Sequence, residues 1–327
     1  MRLSCWGRGC ASNTVLRLAD ACLRGAGQVV FQDHPLAGLA FLAAIAWAAW
    51  QAALPALLAG ALLGLLASTA AALVLRADEA ALRRGLYGFN GLLVGVALPV
   101  FLAPTPAMVL LLVLGAAAST PLMQAITRLM QRLGLPALTA PFLATTWALL
   151  LVAQALGLPA APAAASAGTA GLDAALPGGE LPGGELPARV WPLLRGLLVA
   201  PAQVFLLDDP VSGLLVLLGL ALASRRALGW ALLGATLASA TAWAAGLDAA
   251  GLGRGVYGFS AVLTAVALGD AAPAASRRQR LAVLPAIVLT VLAQAALNAV
   301  FGGVALPALT APFVLVTWLF LRLRAGA

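Results

Sequence analysis

An all-α integral membrane protein is the fold class this sequence predicts, and three observations carry the expectation. The chain has 327 residues, 63% hydrophobic and only 9% charged. A soluble domain carries about 25% charged residues. Its mean hydropathy is +1.02, high enough for the apolar runs to reach bilayer length. Finally, the octapeptide LPALTAPF occurs twice, at 135–142 and 306–313, each followed at the same distance by Thr-Trp, at Thr146-Trp147 and Thr317-Trp318. The chain is therefore expected to hold two related halves, with its function where they meet.

The apolar stretches support this division. Five near the ~20 residues needed to cross a bilayer run at 35–53, 56–75, 86–103, 106–124 and 136–156. Five more run at 210–224, 228–246, 255–270, 281–300 and 307–323. Between the halves, the Ala/Pro/Gly-rich stretch 158–189, with its LPGGELPGGEL, reads as a flexible linker without a regular helix. The expected division is a first repeat over 1–157, an extracytoplasmic linker over 158–190 and a second repeat over 191–327.

Two further pairs reinforce the duplication. GLYGFN at 85–90 matches GVYGFS at 255–260, and QVVFQDHP at 28–35 matches QVFLLDDP at 203–210, in the same order.

Every basic side chain is arginine, and the formal net charge is +8. The arginines cluster between apolar runs, which fits cytoplasmic loops and anionic lipid headgroups better than nucleic acid. Arg76, Arg83, Arg84, Arg128 and Arg132 mark loops of the first half. The equivalent positions of the second half are poor in charge, and Arg225, Arg226, Arg277, Arg278 and Arg280 mark the opposite loops. Basic loops stay inside, so the halves are expected to be inserted upside down relative to one another, an inverted repeat. The same count leaves 14–29 and 192–204 unable to cross. Both read as re-entrant half-helices that turn back at Gln-Val, with both chain ends cytoplasmic. The first twenty residues lack the apolar core of a secretory signal.

The repeated motifs carry the candidate chemistry. Pro136 and Pro141, like Pro307 and Pro312, flank a Leu-Thr pair. Proline removes a backbone donor and frees carbonyls, which with the Thr139 and Thr310 hydroxyls can face an interior path; alternatively these are packing kinks with threonine bonded to its own helix. Gln28 and Gln203 each offer one acceptor and two donors, suited to a neutral polar solute or to capping the half-helices. Phe89 and Phe259 supply flat faces or ordinary core. Asp33, Asp208 and Asp209 read as solvated helix starts or mouth positions. Cys5, Cys10 and Cys22, with His34, form neither a disulfide framework nor a persuasive zinc site. Apart from Asp270 at the edge of 255–270, no carboxylate, lysine or histidine lies within the ten spans, and no GxSxG, HExxH or phosphate loop is present, so neither an enzyme nor a cofactor is expected.

At its paired LPxLTxPF, G-x-Y-G-F and QV motifs the chain resembles the urea transporter family. That resemblance implies ten spans and two re-entrant helices per protomer, a homotrimer with a pore in each protomer, and passive urea flow across a bacterial cytoplasmic membrane. By motif, it implies that Phe31 and Phe259 help form one flat slot and Phe89 the other, opposite Leu206. Gln28 and Gln203 would contribute to oxygen ladders. Val29, Val204, Leu93, Leu263, Thr139 and Thr310 would lie at the central constriction. Two positions depart from internal symmetry: Leu206 stands where the first half has Phe31, and Ser260 where it has Asn90. The alternatives are a same-fold channel for another small neutral solute, an ion-coupled secondary transporter, and a membrane scaffold.

Overall fold

The computed structural model describes residues 14–161, 185–270, 277–303 and 306–325. Among these the chain is all helical, with one isolated antiparallel bridge between Leu102 and Ala160. The first half contains α1 (Thr14–Gln28), α2 (Pro35–Gln51), α3 (Pro55–Val74), α4 (Glu79–Arg83), α5 (Gly88–Phe101), α6 (Pro106–Gln131) and α7 (Ala140–Ala155). The second follows the same order, with the short α13 inserted, as α8 (Glu185–Gln203), α9 (Pro210–Ala223), α10 (Arg225–Ala244), α11 (Ala249–Gly253), α12 (Phe259–Gly269), α13 (Arg277–Leu281), α14 (Val283–Gly302) and α15 (Ala311–Ala325).

Proline and short polar caps set many of the starts. α2, α3, α6, α7 and α9 carry proline in their first two positions, where its missing N–H costs no helical hydrogen bond. Asp78 and Asp248 begin α4 and α11 by accepting from Ala81 and Gly251, a cap contribution of about 1 kcal/mol each. Pro55–Val74, Pro106–Gln131, Arg225–Ala244 and Gln279–Gly302 are long and apolar enough to cross a membrane; the remaining apolar helices are shorter.

Several boundaries differ from the sequence expectation. α6 continues to Gln131 and carries Arg128 on its last turn, and Arg225-Arg226 open α10 instead of sitting in a loop. Helix propensity holds the backbone helical beyond the apolar run, so arginines mark helix ends here. α8 starts at Glu185, inside the stretch expected to be linker. The Pro-Gly repeat gives way there to ELPARV, which no longer opposes a helix; residues 162–184 of the expected linker lie outside the described set. The runs expected at 136–156 and 307–323 become helical only at Ala140 and Ala311.

The duplication extends to the backbone. Left-handed residues pair across the halves: Phe31 (φ 61°) with Leu206 (57°), Leu138 (53°) with Leu309 (48°), and Gly85 (73°) with Gly255 (69°). A left-handed non-glycine residue costs about 1–3 kcal/mol and persists only where its surroundings enforce it. Helix contacts repeat as well. A Cβ on Gly38 would lie 1.7 Å from the Leu23 carbonyl oxygen, and one on Gly213 1.8 Å from that of Leu198. Each glycine thus lets α2 touch the backbone of α1, or α9 that of α8.

The halves join through α2 and α9. Phe41 packs on Phe205 with ring centroids 5.3 Å apart. Buried Ser212 donates to the Ala44 carbonyl at 3.0 Å.

Candidate functional site

α1 and α8 end the same way. α1 stops at Gln28 and turns through Val29 and Val30 to left-handed Phe31, with Phe31 N–H bonded to Gln28 O and Gln32 N–H to Gly27 O, both at 3.0 Å. α8 stops at Gln203, and Leu206 and Leu207 donate in the same pattern to Gln203 O and Ala202 O. Such a closure satisfies helix C-terminal carbonyls, usually with glycine at the left-handed position. Here it projects Phe31 and Leu206 instead. These helix ends are internal: Gln28, Val29 and Val204 are buried. Gln28 donates its Nε2 to the Arg84 carbonyl at 2.9 Å, tying the QV turn to the GLYGF loop and leaving Oε1 as its acceptor. Gln203 is half-buried.

The two LPALTAPF copies meet. Thr139 Oγ1 and Thr310 Oγ1 are 2.8 Å apart, and both residues are buried. Trp147 Nε1 donates to the Pro307 carbonyl and Trp318 Nε1 to the Pro136 carbonyl, both at 2.8 Å. Each half therefore clamps the other's broken segment, reciprocally, as in a two-fold interface. Two expectations change. The proline-flanked segments are turns leading into helices, not kinks within them. The Pro136 and Pro307 carbonyls are taken by the N–H groups of half-buried indoles. Neither threonine side chain caps its own helix in the structure; the hydroxyls bond to each other.

Val29, Phe89, Leu93, Val204, Phe259 and Leu263 belong to one continuous buried apolar cluster that also takes in Leu138, Leu309 and Ala311, chain neighbours of the two threonines, with Phe31 and Leu206 packed against it. Phe313, the last residue of the second octapeptide, lies 5.9 Å from Phe31 between ring centroids, tilted by 55°. Sequence reasoning assigned Phe313 no part; its place in the motif was the available signal. Thr146 and Thr317 are buried hydroxyls at equivalent positions without a hydrogen-bond partner among the described residues.

The acidic motif ends are only partly as expected. Asp209 starts α9 by accepting from Ser212 N–H at 2.6 Å. Asp33 is exposed, as expected, though ion-paired, whereas Asp208 is half-buried in ion pairs. Arg24 and Arg84 hold Asp33 at 2.8 and 3.3 Å. Arg195 and buried Arg254 hold Asp208 at 2.9 and 3.6 Å. Burial pushes the Asp208 carboxyl above its ordinary range, against the opposing pull of Arg195 and Arg254. Arg84 and Arg254 immediately precede the two G-x-Y-G-F loops, so each ion pair locks a QV turn to its neighbouring loop. Among the described residues, no group of three or more His, Cys, Asp or Glu is placed to hold a metal.

Two repeats clamped on a shared, uncharged contact, with helices long and apolar enough to cross a membrane, describe a multi-pass membrane protein. The urea transporter profile matches residues 19–325, and the chain belongs to that family. It is 27% identical to urea transporter 1 of Ovis aries over 330 aligned positions, covering 94% of this chain and 77% of that protein. It is 28% identical to urea transporter 1 of Rattus norvegicus over 328 positions, covering 94% and 78% respectively.

Proposed function

We propose that the chain is a passive urea channel whose path runs between the two LPALTAPF copies. The single observation that carries the reading is the Thr139–Thr310 contact. Two hydroxyls meet inside a buried apolar cluster, at the pseudo-symmetric centre of a chain belonging to the urea transporter family. Urea is small, planar, neutral and rich in N–H donors. Hydroxyl and carbonyl oxygens can replace its water, while Phe31, Phe89, Phe259 and Leu206 supply flat walls that reward its shape. A neutral apolar lining disfavours ions. On this reading Gln28 Oε1 and Gln203 extend the acceptor edge, and Val29, Val204, Leu93 and Leu263 narrow the path at the threonines. Because Thr139 and Thr310 bond directly, solute must insert between the hydroxyls and exchange their mutual bond for bonds to itself.

The ten-span inverted arrangement, with α1 and α8 as re-entrant half-helices, is supported by the arginine-bearing helix ends and by the internal position of Gln28 and Val204. It places the ends of Pro55–Val74 and Pro106–Gln131 that carry Arg76 and Arg128 inside. Cytoplasmic termini follow from the same arginine placement, and a bacterial cytoplasmic membrane and a homotrimer with one path per protomer complete the proposal from the family resemblance.

Flux of labelled urea into proteoliposomes tests the function, with and without proton and sodium gradients. Gradient-independent uptake above that of empty liposomes is expected. Uptake that requires a gradient would instead establish coupled transport, and none at all would remove urea from the account. Leu206 favours one second reading, the same path used by another small neutral solute such as a short amide, because one wall lacks the ring present at Phe31. Competition by acetamide and N-methylurea in the same vesicles separates the two.

A further inference from the structure

The departure at Ser260 has a counterpart two helices along the fold. In the first half, Asn90 on α5 accepts from the Phe142 N–H at the start of α7, at 3.2 Å, and its Nδ2 faces Met123 Sδ on α6 at 3.6 Å. Counting back from the two octapeptides, Gln294 on α14 occupies the position of Met123. In the second half, Ser260 Oγ donates to Gln294 Oε1 at 2.7 Å, and Gln294 Nε2 donates to Asn298 Oδ1 at 2.9 Å. Both halves thus bury one amide at this helix crossing, carried by α5 in one and by α14 in the other. The partner shrinks or lengthens to match: amide and thioether in the first half, hydroxyl and long amide in the second. Ser260 and Gln294 are 0% and 1% exposed, so neither polar group can turn to water. One turn further along the same crossing, Thr264 and Thr290 share a hydrogen bond at 3.0 Å, where the first half has Val94 and Ser119.

We propose that Gln294 is a positioning residue for the permeation path, acting through Ser260 on the rotation of α12 and hence on Phe259 and Leu263. The inference rests on the channel reading above. Phe259 directly precedes Ser260 in the chain, and Leu263 lies one turn later on the same helix; both belong to the buried cluster beside Thr310. A bond that fixes Ser260 against α14 therefore fixes the azimuth at which α12 presents these two walls. The first half sets the same azimuth differently, by tying α5 to the start of α7. The two walls are held by unlike bonds, so loss of one should change selectivity from one side only.

The test is a pair exchange with rescue. Ser260→Ala removes the donor, Gln294→Met the acceptor, and the double variant Ser260→Asn/Gln294→Met installs the residues of the first half. Each purified protein is checked for monodispersity and melting temperature. Its fluxes of urea and N-methylurea into proteoliposomes are then compared at equal folded protein. Ser260→Ala and Gln294→Met should each change the urea to N-methylurea ratio by about fivefold, the factor that corresponds to one lost buried hydrogen bond. The double variant should return the ratio to within about twofold of the parent. Singles that lower the melting temperature but leave the ratio unchanged would overturn the inference, as would a double variant no better than Gln294→Met alone. Ser260→Ala differs by one oxygen and carries the test if the larger changes do not fold. Absence of urea flux in the parent would instead refute the channel reading itself, before any variant is compared.

Discussion

Thr139 and Thr310 show how much a single residue's environment decides. A threonine beside prolines can satisfy itself against its own helix or lend its hydroxyl elsewhere, and nothing local to LPALTAPF distinguishes the outcomes. Two identical copies raised the odds of a shared role, and the structure joins their oxygens at 2.8 Å. Thr139→Val or Thr310→Val should each lower urea flux several-fold, about 1 kcal/mol for each lost hydrogen bond to solute. Thr→Ser at either site should retain most of it; equal flux in the valine variants would reduce the hydroxyls to packing. At the walls, Leu206→Phe should sharpen discrimination against N-methylurea, measured as the flux ratio, because a second flat ring narrows the slot. Phe313 and Gln294 escaped sequence reasoning for a common physical reason. Their importance lies in which neighbour they meet across helices, and helical periodicity does not encode that.

At the scale of elements, the reciprocal indole bonds are the most consequential addition. The sequence reading used Thr-Trp only as a ruler for the repeat. In the structure each tryptophan holds the proline carbonyl of the other half. Trp147→Phe should destabilise the protein by about 1 kcal/mol, since a half-buried carbonyl loses its donor, and Trp318→Phe by less, since Pro136 is exposed and water can replace the indole. Thermal unfolding in detergent measures this, and Trp147→Phe should lower the melting temperature more, because its bond is the better shielded of the two. A larger shift in Trp318→Phe would contradict this. Gly38→Ala and Gly213→Ala should fail more severely, because a Cβ 1.7 or 1.8 Å from a carbonyl oxygen cannot be accommodated without moving α2 or α9. Helix starts were legible where proline and aspartate mark them. The start of α8 was not, because a low-complexity tract lay directly before it.

For the whole molecule, hydropathy and duplication were enough to place the chain among multi-pass membrane proteins, and family membership then agrees across residues 19–325. The sense of insertion rests on arginine placement, which labelling can check. Single cysteines near Arg76 and near Arg280 should react from one side of the membrane, and those near Gln51 and Asp248 from the other. Uniform reactivity would reject the inverted arrangement. The central claim is narrower: urea passes between the two octapeptides. Its most direct test is Thr139→Cys/Thr310→Cys, with Cys5, Cys10 and Cys22 replaced by alanine. The parent oxygens lie 2.8 Å apart, and a small adjustment brings two sulfurs to the ~2.05 Å of a disulfide. Oxidation should abolish urea flux in proteoliposomes and reductant restore it, while either single cysteine responds to neither. A fully formed disulfide with flux unchanged would show that the path lies elsewhere.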